Sequence, residues 1–245
     1  MEIEEYNKMY KFEEHYWWWV GKRAIIKQLL DVLKLDSINI LDVGCGTGAN
    51  LDFLQKYGDI LGVDFSKEAK KFCKMRGYKI VQANAEKLPL KENTFDLITA
   101  LDFLEHLDDN MAISEFYRVL KPDGYLILTV PAFTFLWSKH DDALHHKRRY
   151  NKNQLKNVLK SNGFTIKKLS YWNFFLFLPI AIIRLIKRNM KNKTITSDVK
   201  EIPRIINDFL IFILRIESHI ISHINLPIGI SLVCVGKVNK GGIKE

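Results

Sequence analysis

Three alternating glycines follow a short apolar segment of this 245-residue chain, in the sequence Ile40-Leu-Asp-Val-Gly-Cys-Gly-Thr-Gly. Gly44, Gly46 and Gly48 have no Cβ atom, so a ligand can contact the main chain there and the backbone can adopt positive φ angles. Asp42 lies just before this loop, at the carboxyl end of a predicted strand, where open α/β sheets bind their ligands. The spacing also fits a relaxed dinucleotide-binding fingerprint, so the loop alone leaves the ligand open.

Two carboxylates and an imidazole occur together after a later apolar segment, in the sequence Asp102-x-x-Glu105-His106. Such groups can accept a proton from an attacking oxygen, or hold a divalent cation that binds that oxygen. A structural alternative is that the acids stabilise the positive end of a helix that begins there. We expect Glu105 and His106 to act in catalysis.

A second group of titratable residues lies at 140–150, in the sequence His-Asp-Asp-Ala-Leu-His-His-Lys-Arg-Arg-Tyr. Its histidines could take a proton while its paired arginines bind a phosphate or carboxylate. The alternative is a solvated basic loop that caps the next helix. The candidate bases are His140, His145 and His146, of which we favour His140 and His145, and the candidate anion-binding residues are Arg148 and Arg149.

Further motifs follow the glycine loop in a fixed order, at 59–64, 82–89, 94–107 and 120–131. Taken in this order, residues 38–135 resemble the class I S-adenosylmethionine-dependent methyltransferases, in the branch that methylates small molecules and lipids. The resemblance implies S-adenosylmethionine as the cofactor.

The resemblance also implies a role for each matched residue. Asp42 and the glycine loop would hold the amino-acid end of the cofactor, and Asp64 would accept both ribose hydroxyls. Phe65 would lie against the adenine. Asn84 replaces the family's usual Asp, but its amide oxygen can still accept a hydrogen bond from the adenine amine. The expected cofactor-binding residues are Asp42, Gly44, Cys45, Gly46, Gly48, Asp64, Phe65, Asn84, Ala85 and Leu101.

The Asp102-x-x-Glu105-His106 segment resembles the Glu-x-x-Glu-His motif of ubiquinone-pathway O-methyltransferases and small-RNA 2′-O-methyltransferases, where it binds a divalent metal. Here the first acid is one carbon shorter. Many relatives without metals carry a similar Glu-His pair, so we expect no metal ion at this site.

The periodicity of apolar residues predicts an α/β protein with a doubly wound, Rossmann-like, seven-stranded sheet and a helical insertion between its last two strands. Lys-Pro-Asp-Gly at 121–124 predicts a turn in which the glycine takes the unusual conformation. The predicted strands lie at 38–43, 59–63, 78–82, 95–100, 124–130, 164–171 and 228–238, and the predicted helices at 3–16, 21–34, 48–57, 66–75, 109–120 and 151–162. The predicted parts are an N-terminal helical cap at 1–36, a cofactor-binding domain at 37–171 and 228–239, and the insertion at 172–227.

The insertion is far longer than the short hairpin connection expected at this place in the fold. It contains two apolar segments, at 172–183 and 202–222, with cations beside each. Neither contains the roughly eighteen uninterrupted apolar residues that a spanning helix needs. Their length and basic flanks are typical of helices that lie in a membrane surface.

Charge is unevenly distributed along the chain, which has a formal net charge of +9. Residues 147–204 contain about fifteen lysines and arginines but only about two acids, a one-sided field that attracts polyanions. The aromatic residues there lie within aliphatic segments, which favours an anionic membrane over nucleic acid. A lid within the protein, or a dimer face, is the other alternative.

Three consecutive tryptophans, at 17–19, precede Lys22 and Arg23. Successive residues on a helix point in different directions, so not all three rings can enter one core. Two of them could simply pack the N-terminal helix onto the sheet. We expect Trp18 to contact an apolar substrate and Arg23 to bind its carboxylate or phosphate.

The composition, 47% apolar with three cysteines at unpaired spacings, is typical of a protein in a reducing cytoplasm. The acidic, polar N-terminus does not resemble a secretory signal. The sequence thus predicts a methyltransferase on the cytoplasmic face of a membrane that methylates an oxygen of an apolar or lipid-linked small molecule. Alternatives are an RNA or soluble-metabolite methyltransferase whose insertion is a lid, or a non-catalytic, cofactor-binding membrane scaffold.

Overall fold

Seven strands form one sheet in a computed structural model that describes residues 2–189 and 197–240. Their order across the sheet is β3-β2-β1-β4-β5-β7-β6; β1 to β5 are parallel, and β7 is antiparallel to both of its neighbours. This order confirms the predicted doubly wound, Rossmann-like sheet. The strands are β1 (Ile38–Val43), β2 (Gly58–Asp64), β3 (Ile80–Gln82), β4 (Phe95–Leu101), β5 (Leu120–Pro131), β6 (Phe164–Trp172) and β7 (Ser231–Val238).

Helices cover both faces of the sheet, and two apolar cores lie between them and the strands. The central strands β1, β4 and β7 have nearly continuous buried residues, as expected for strands covered on both sides. The described helices are α1 (Ile3–Phe12), α2 (Trp17–Leu33), α3 (Ala49–Leu54), α4 (Lys67–Met75), α5 (Asp109–Val119), α6 (Lys139–Ala143), α7 (Lys152–Ser161), α8 (Phe177–Asn189) and α9 (Arg204–His223).

Two local predictions are wrong. The N-terminal helix ends at Phe12, and α2 begins at Trp17, so the tryptophans form the first turn of α2 and not a segment before it. Strand β5 already begins at Leu120, through the predicted turn at 121–124. There Asp123 has the left-handed conformation (φ 64°) that was expected at the glycine, because Asp tolerates this region better than most residues.

The insertion forms α8 and α9, apart from residues 190–196, which lie outside the described part of the chain. Helix α9 packs along α2, where Gly21 allows a close approach to Leu214. A Cβ atom at Gly21 would lie 2.2 Å from Leu214 Cδ1. Across the described residues, each helix is too short or too polar to cross a membrane.

Candidate active site

A cavity of about 1050 Å³ opens at the carboxyl ends of the parallel strands. The volume exceeds that of most single-ligand pockets and can hold a cofactor together with a substrate. Residues of the glycine loop, of helices α1 and α2 and of α8 line the cavity. Among the predicted cofactor-binding residues, those that line the cavity are Gly44, Cys45, Gly46, Asp64, Phe65, Asn84, Ala85 and Leu101.

Asp64 ends β2 on the cavity wall, and its carboxylate is held by two backbone amides. Gly46 N donates to one oxygen at 3.0 Å, and Ser66 N donates to the other at 2.9 Å. Burial raises the pKa of Asp64, although these amides oppose the shift. Gly44 and Gly46 both have positive φ angles, of 74° and 55°, so the loop follows a path that residues with a Cβ rarely adopt.

Asp42 and Gly48 lie behind the cavity wall, which corrects the expectation that both contact the cofactor. Asp42 is buried and accepts a 2.6 Å hydrogen bond from the Thr99 hydroxyl. Its second oxygen has no hydrogen-bond partner among the described residues, and burial raises its pKa to about 7. Gly48 (φ 92°) precedes α3, and a Cβ there would lie 3.1 Å from Cys73 Sγ. Both residues therefore stabilise the glycine loop from the side that faces away from the cavity.

The N-terminal cap contributes cavity residues that the sequence did not reveal, because their contacts with the loop are distant in sequence. Tyr6 and Met9 of α1 line the cavity beside the glycine loop. The buried Glu13 carboxylate accepts hydrogen bonds from the Thr47 hydroxyl and, at 3.1 Å, from Arg76. These contacts hold α1 over the glycine loop.

Trp18 and Lys22 of α2 also line the cavity, whereas Arg23 does not. The Trp18 ring packs on Trp172 with 4.9 Å between centroids, a position compatible with its predicted contact to an apolar substrate. Lys22 Nζ lies 2.7 Å from Asp102 Oδ2, and both groups are largely buried. Arg23 donates to the carbonyls of Glu13 and Glu14 and so joins α2 to the end of α1. Its predicted role in anion binding is corrected accordingly.

Glu105, His106 and His146 come together on the cavity wall. The centroids of the His106 and His146 rings lie 4.9 Å apart, and His146 Nε2 lies 3.8 Å from a Glu105 oxygen. Glu105 is fully buried, and neither of its oxygens has a hydrogen-bond partner among the described residues. Burial, with the nearby Asp102 charge, raises the pKa of Glu105 well above its ordinary value, and burial lowers the pKa of His106 to about 4.

Asp141 orients His146 from behind the cavity wall. His146 Nδ1 donates to Asp141 at 2.9 Å, and Arg149 forms two further bonds to the same carboxylate, at 2.8 and 2.9 Å. Burial opposes ionisation of Asp141, but the hydrogen bonds from His146 and Arg149 hold its pKa well below the usual range. Arg149 lines the cavity, as expected of a substrate-binding residue, but its guanidinium is buried and already bonded to Asp141 and to the Ala132 carbonyl. In this structure it therefore fixes Asp141.

The structure separates the other residues of the 140–150 loop. His140 lines the cavity and accepts a hydrogen bond from the Asp198 amide at 3.0 Å; burial lowers its pKa to about 4. His145 is exposed, 3.5 Å from Glu2, and lies outside the cavity, so it is misplaced for the predicted catalytic role. Arg148 is also outside and pairs with Asp109 at 2.7 Å, which corrects its predicted role in substrate binding.

A known protein family matches the part of the chain that contains the glycine loop. Residues 41–128 match a family described as "Methyltransferase domain". An uncharacterized protein of Methanocaldococcus jannaschii is 32% identical over 151 residues, which are 59% of this chain and 71% of the relative. The chain belongs to the class I S-adenosylmethionine-dependent methyltransferases.

Other relatives match over part of their length. A second uncharacterized M. jannaschii protein is 34% identical over 167 residues, 67% of this chain and 61% of the relative. Demethylmenaquinone methyltransferase of Staphylococcus aureus is 30% identical over 148 residues, 54% of this chain and 59% of the relative. The chain thus spans about three fifths of the length of these two curated relatives.

Two solved structures share the methyltransferase fold across most of the chain. One is a chain from the complex between the Haloferax volcanii Trm112 methyltransferase activator and a methyltransferase, with TM-score 0.64, 15% identity, and coverage of 98% of this chain and 97% of that one. The other is a SAM-dependent methyltransferase from Archaeoglobus fulgidus, with TM-score 0.55, 20% identity, and coverage of 88% and 94%. At these identities the likeness shows the fold alone.

The cavity fits the cofactor that the family uses. A buried acid ends the second strand on the cavity wall, as ribose binding requires, and Gly44 and Gly46 line the same wall without a side chain of their own. Asp64 would hold the ribose, and Gly44 to Gly46 would receive the amino-acid end. Phe65 is 72% exposed beside them, so it can move against an adenine without disturbing the core.

Proposed function

We propose that the protein transfers the methyl group of S-adenosylmethionine to an oxygen of an apolar or lipid-linked small molecule at a membrane surface. The observation that carries this proposal is the position of α8. Ile180 and Ile183 of this helix line the cavity, while Leu178, Ile182 and Ile186 of the same helix are exposed to solvent. One helix therefore connects the cavity that would hold the substrate with an apolar outer surface.

Helix α9 carries a second exposed apolar surface. It is apolar on two sides: Leu214 and Ile221 are buried against the core, and a second row of large apolar side chains is exposed. Their spacing at positions i, i+1, i+4, i+7 and i+11 puts them in one stripe along the helix. The exposed stripe consists of Ile205, Ile206, Phe209, Phe212 and Ile216.

An apolar stripe of this size on a solvent-exposed surface is a candidate interaction site. The positive charge of the chain favours an anionic membrane as its partner. The chain carries a net charge of +9, and Lys200 and Arg204, at the start of α9, are exposed. Burying the stripe in the headgroup region would place these cations near the phosphates. The demethylmenaquinone methyltransferase relative supports a small-molecule acceptor.

The chain's own residues account for the steps that surround methyl transfer. S-adenosylmethionine supplies a methyl group on a positively charged sulfur, and the protein must align an acceptor with it. Trp18 and Ile180 bind the apolar part of the acceptor. An oxygen acceptor also has to lose a proton, and we assign its binding and activation to the buried group of Glu105, His106 and His146.

Mass spectrometry tests the proposed activity. The protein is incubated with S-adenosylmethionine and, in separate reactions, with a lipid extract, an RNA fraction and a water-soluble fraction from cells. Molecules that gain 14 mass units, about the mass of one CH₂ group, are identified. We expect one class of lipid to gain this mass with the wild-type protein, and none to gain it with the Asp64→Ala variant. Methylation only of RNA or of a water-soluble fraction would favour the alternatives with a lid, and cofactor binding without any product would favour the scaffold.

Vesicle flotation tests the membrane surface separately. We expect the Phe209→Asp/Phe212→Asp variant to lose binding to anionic phosphatidylglycerol vesicles that the wild type binds. The matched control is Met75→Asp/Met111→Asp, which places the same two charges at exposed apolar residues of α4 and α5. Equal binding by all three proteins would exclude the α9 stripe as the membrane contact.

A further inference from the structure

The group of Glu105, His106 and His146 has the composition of a metal site. Each residue offers one ligand atom, and these atoms all lie within 4.8 Å of one another. Zinc bonds of about 2.0–2.2 Å put ligand atoms roughly 3–3.5 Å apart, so small side-chain rotations would close the group around an ion. Both Glu105 oxygens are buried without a hydrogen-bond partner among the described residues, which is costly unless another group binds them.

The surroundings of His146 are those of a histidine that binds a metal. Its Nδ1 is occupied by the 2.9 Å bond to Asp141, which leaves Nε2 as the free ligand atom facing Glu105. Asp141 is in turn fixed by two bonds from Arg149. A carboxylate behind a ligating histidine sets the tautomer and orientation of the ring, and it is the usual outer partner at zinc sites.

Asp102, the first acid of the sequence motif, is occupied elsewhere. It lies 2.7 Å from the Lys22 ammonium and accepts a 2.8 Å bond from the Thr129 hydroxyl. We propose that Glu105, His106 and His146 bind a divalent transition-metal ion on the cavity wall, with Asp141 as the residue that positions His146. This assignment replaces the expectation of no metal and differs from the sequence motif in its third ligand.

Two imidazole nitrogens and one carboxylate oxygen favour Zn²⁺ or a similar transition-metal ion over Mg²⁺ or Ca²⁺, which prefer oxygen ligands. Three protein ligands leave a coordination position open toward the cavity, as in catalytic zinc sites. A substrate hydroxyl at this position would release its proton to solvent more readily, because a bound cation lowers the pKa of an oxygen ligand.

Titration of the metal-free protein with Co²⁺ and Zn²⁺ tests the proposal. Visible absorption of Co²⁺ reports its coordination, and calorimetry gives the affinity and stoichiometry for Zn²⁺. His219 and His223 lie one turn apart on the exposed side of α9 and could bind these ions independently, so all measurements use a His223→Ala background. We expect one equivalent to bind.

In that background we expect Glu105→Gln and His146→Ala to weaken binding at least about 100-fold, since each removes a ligand. Asp141→Asn should weaken it about 10- to 100-fold, the range found when outer partners of ligands are lost. The matched control is His145→Ala, which removes the exposed neighbour of His146 and should leave the affinity unchanged. If Glu105→Gln fails to fold by circular dichroism, His146→Ala decides by the same criterion.

Absence of stoichiometric binding, or affinities unchanged by the ligand substitutions, would overturn the proposal and leave the group as an acid–base site. The assay contains neither S-adenosylmethionine nor a methyl acceptor. Its result is therefore independent of the proposed function.

Discussion

Two acids at the cofactor site, Asp42 and Asp64, have different roles. Asp64 lies on the cavity wall, whereas Asp42, two residues before the first glycine, is buried beneath the loop. Sequence reasoning assigned both to cofactor contact, because both end a strand on the binding edge of the sheet. It could not separate them, because only the packing of Thr99 on the neighbouring strand shows that Asp42 points into the protein.

Replacing Asp64 should weaken cofactor binding. Asp64→Ala removes a charged acceptor for the ribose hydroxyls, and such hydrogen bonds contribute about 1.5–3 kcal/mol each. We expect the dissociation constant for S-adenosylmethionine, measured by calorimetry, to rise at least about 10-fold. Asp59→Ala, at an exposed acid near the start of the same strand, is the control and should bind like the wild type. If all three proteins bound S-adenosylmethionine with equal affinity, Asp64 would not be the residue that binds the ribose.

Asp42 should make stability depend on pH. Its pKa is about 7 in the folded protein against 3.8 ordinarily, so the folded state binds the proton more tightly. The resulting stability is fully present below pH 4 and is lost as the pH rises through 7, by up to about 4 kcal/mol. Urea unfolding of the wild type and Asp42→Asn between pH 4 and 8 measures this difference. Parallel pH profiles of the two proteins would contradict the assignment.

The histidines show the limit of sequence reasoning at this scale. All three in the 140–150 loop had the right chemistry, and the sequence favoured His140 and His145. The backbone turns at His145 (φ 57°), so this side chain leaves the cavity while His146 enters it. A one-residue choice of this kind depends on loop conformation, which residue type and spacing do not determine.

At the scale of elements, the strands were easier to predict than the helices around them. Short, mainly apolar segments followed by a glycine or an acid identified β1, β2 and β4. The beginning of α2 was missed because tryptophan is an unusual first residue, with no side-chain cap on the preceding Tyr16. The Trp17 amide is instead bound by Asn207 of α9, at 2.9 Å, a partner 190 residues away.

The contact between α2 and α9 should limit the size of the side chain that can occupy position 21. Gly21→Ala places a Cβ 2.2 Å from Leu214 Cδ1, and overpacking costs about 1–3 kcal/mol, more than the roughly 1 kcal/mol that alanine gains in helix propensity. We therefore expect a lower free energy of unfolding in urea. A double-mutant cycle with Leu214→Ala should show coupling of at least about 0.5 kcal/mol. Additive effects would mean that the helices do not pack this closely.

For the whole molecule, the uneven charge predicts how membrane binding responds to salt. Electrostatic attraction is screened over about 10 Å at 0.1 M salt and about 3 Å at 1 M, whereas burial of apolar surface is not screened. We expect flotation with anionic vesicles to fall strongly but not completely as NaCl increases, and binding to neutral vesicles to be weak and independent of salt. If binding to both vesicle types did not depend on salt, the lysines and arginines would not contribute to the proposed membrane contact.

The position of β7 has a consequence for the order of folding. This strand is the last of the sheet in sequence, yet it pairs with β5 on one side and β6 on the other. Until residues 231–238 arrive, both neighbours have unpaired edges, and the sheet consists of two incomplete parts. Contacts so distant in sequence form slowly. During synthesis, helices α8 and α9 are therefore made before the sheet can close.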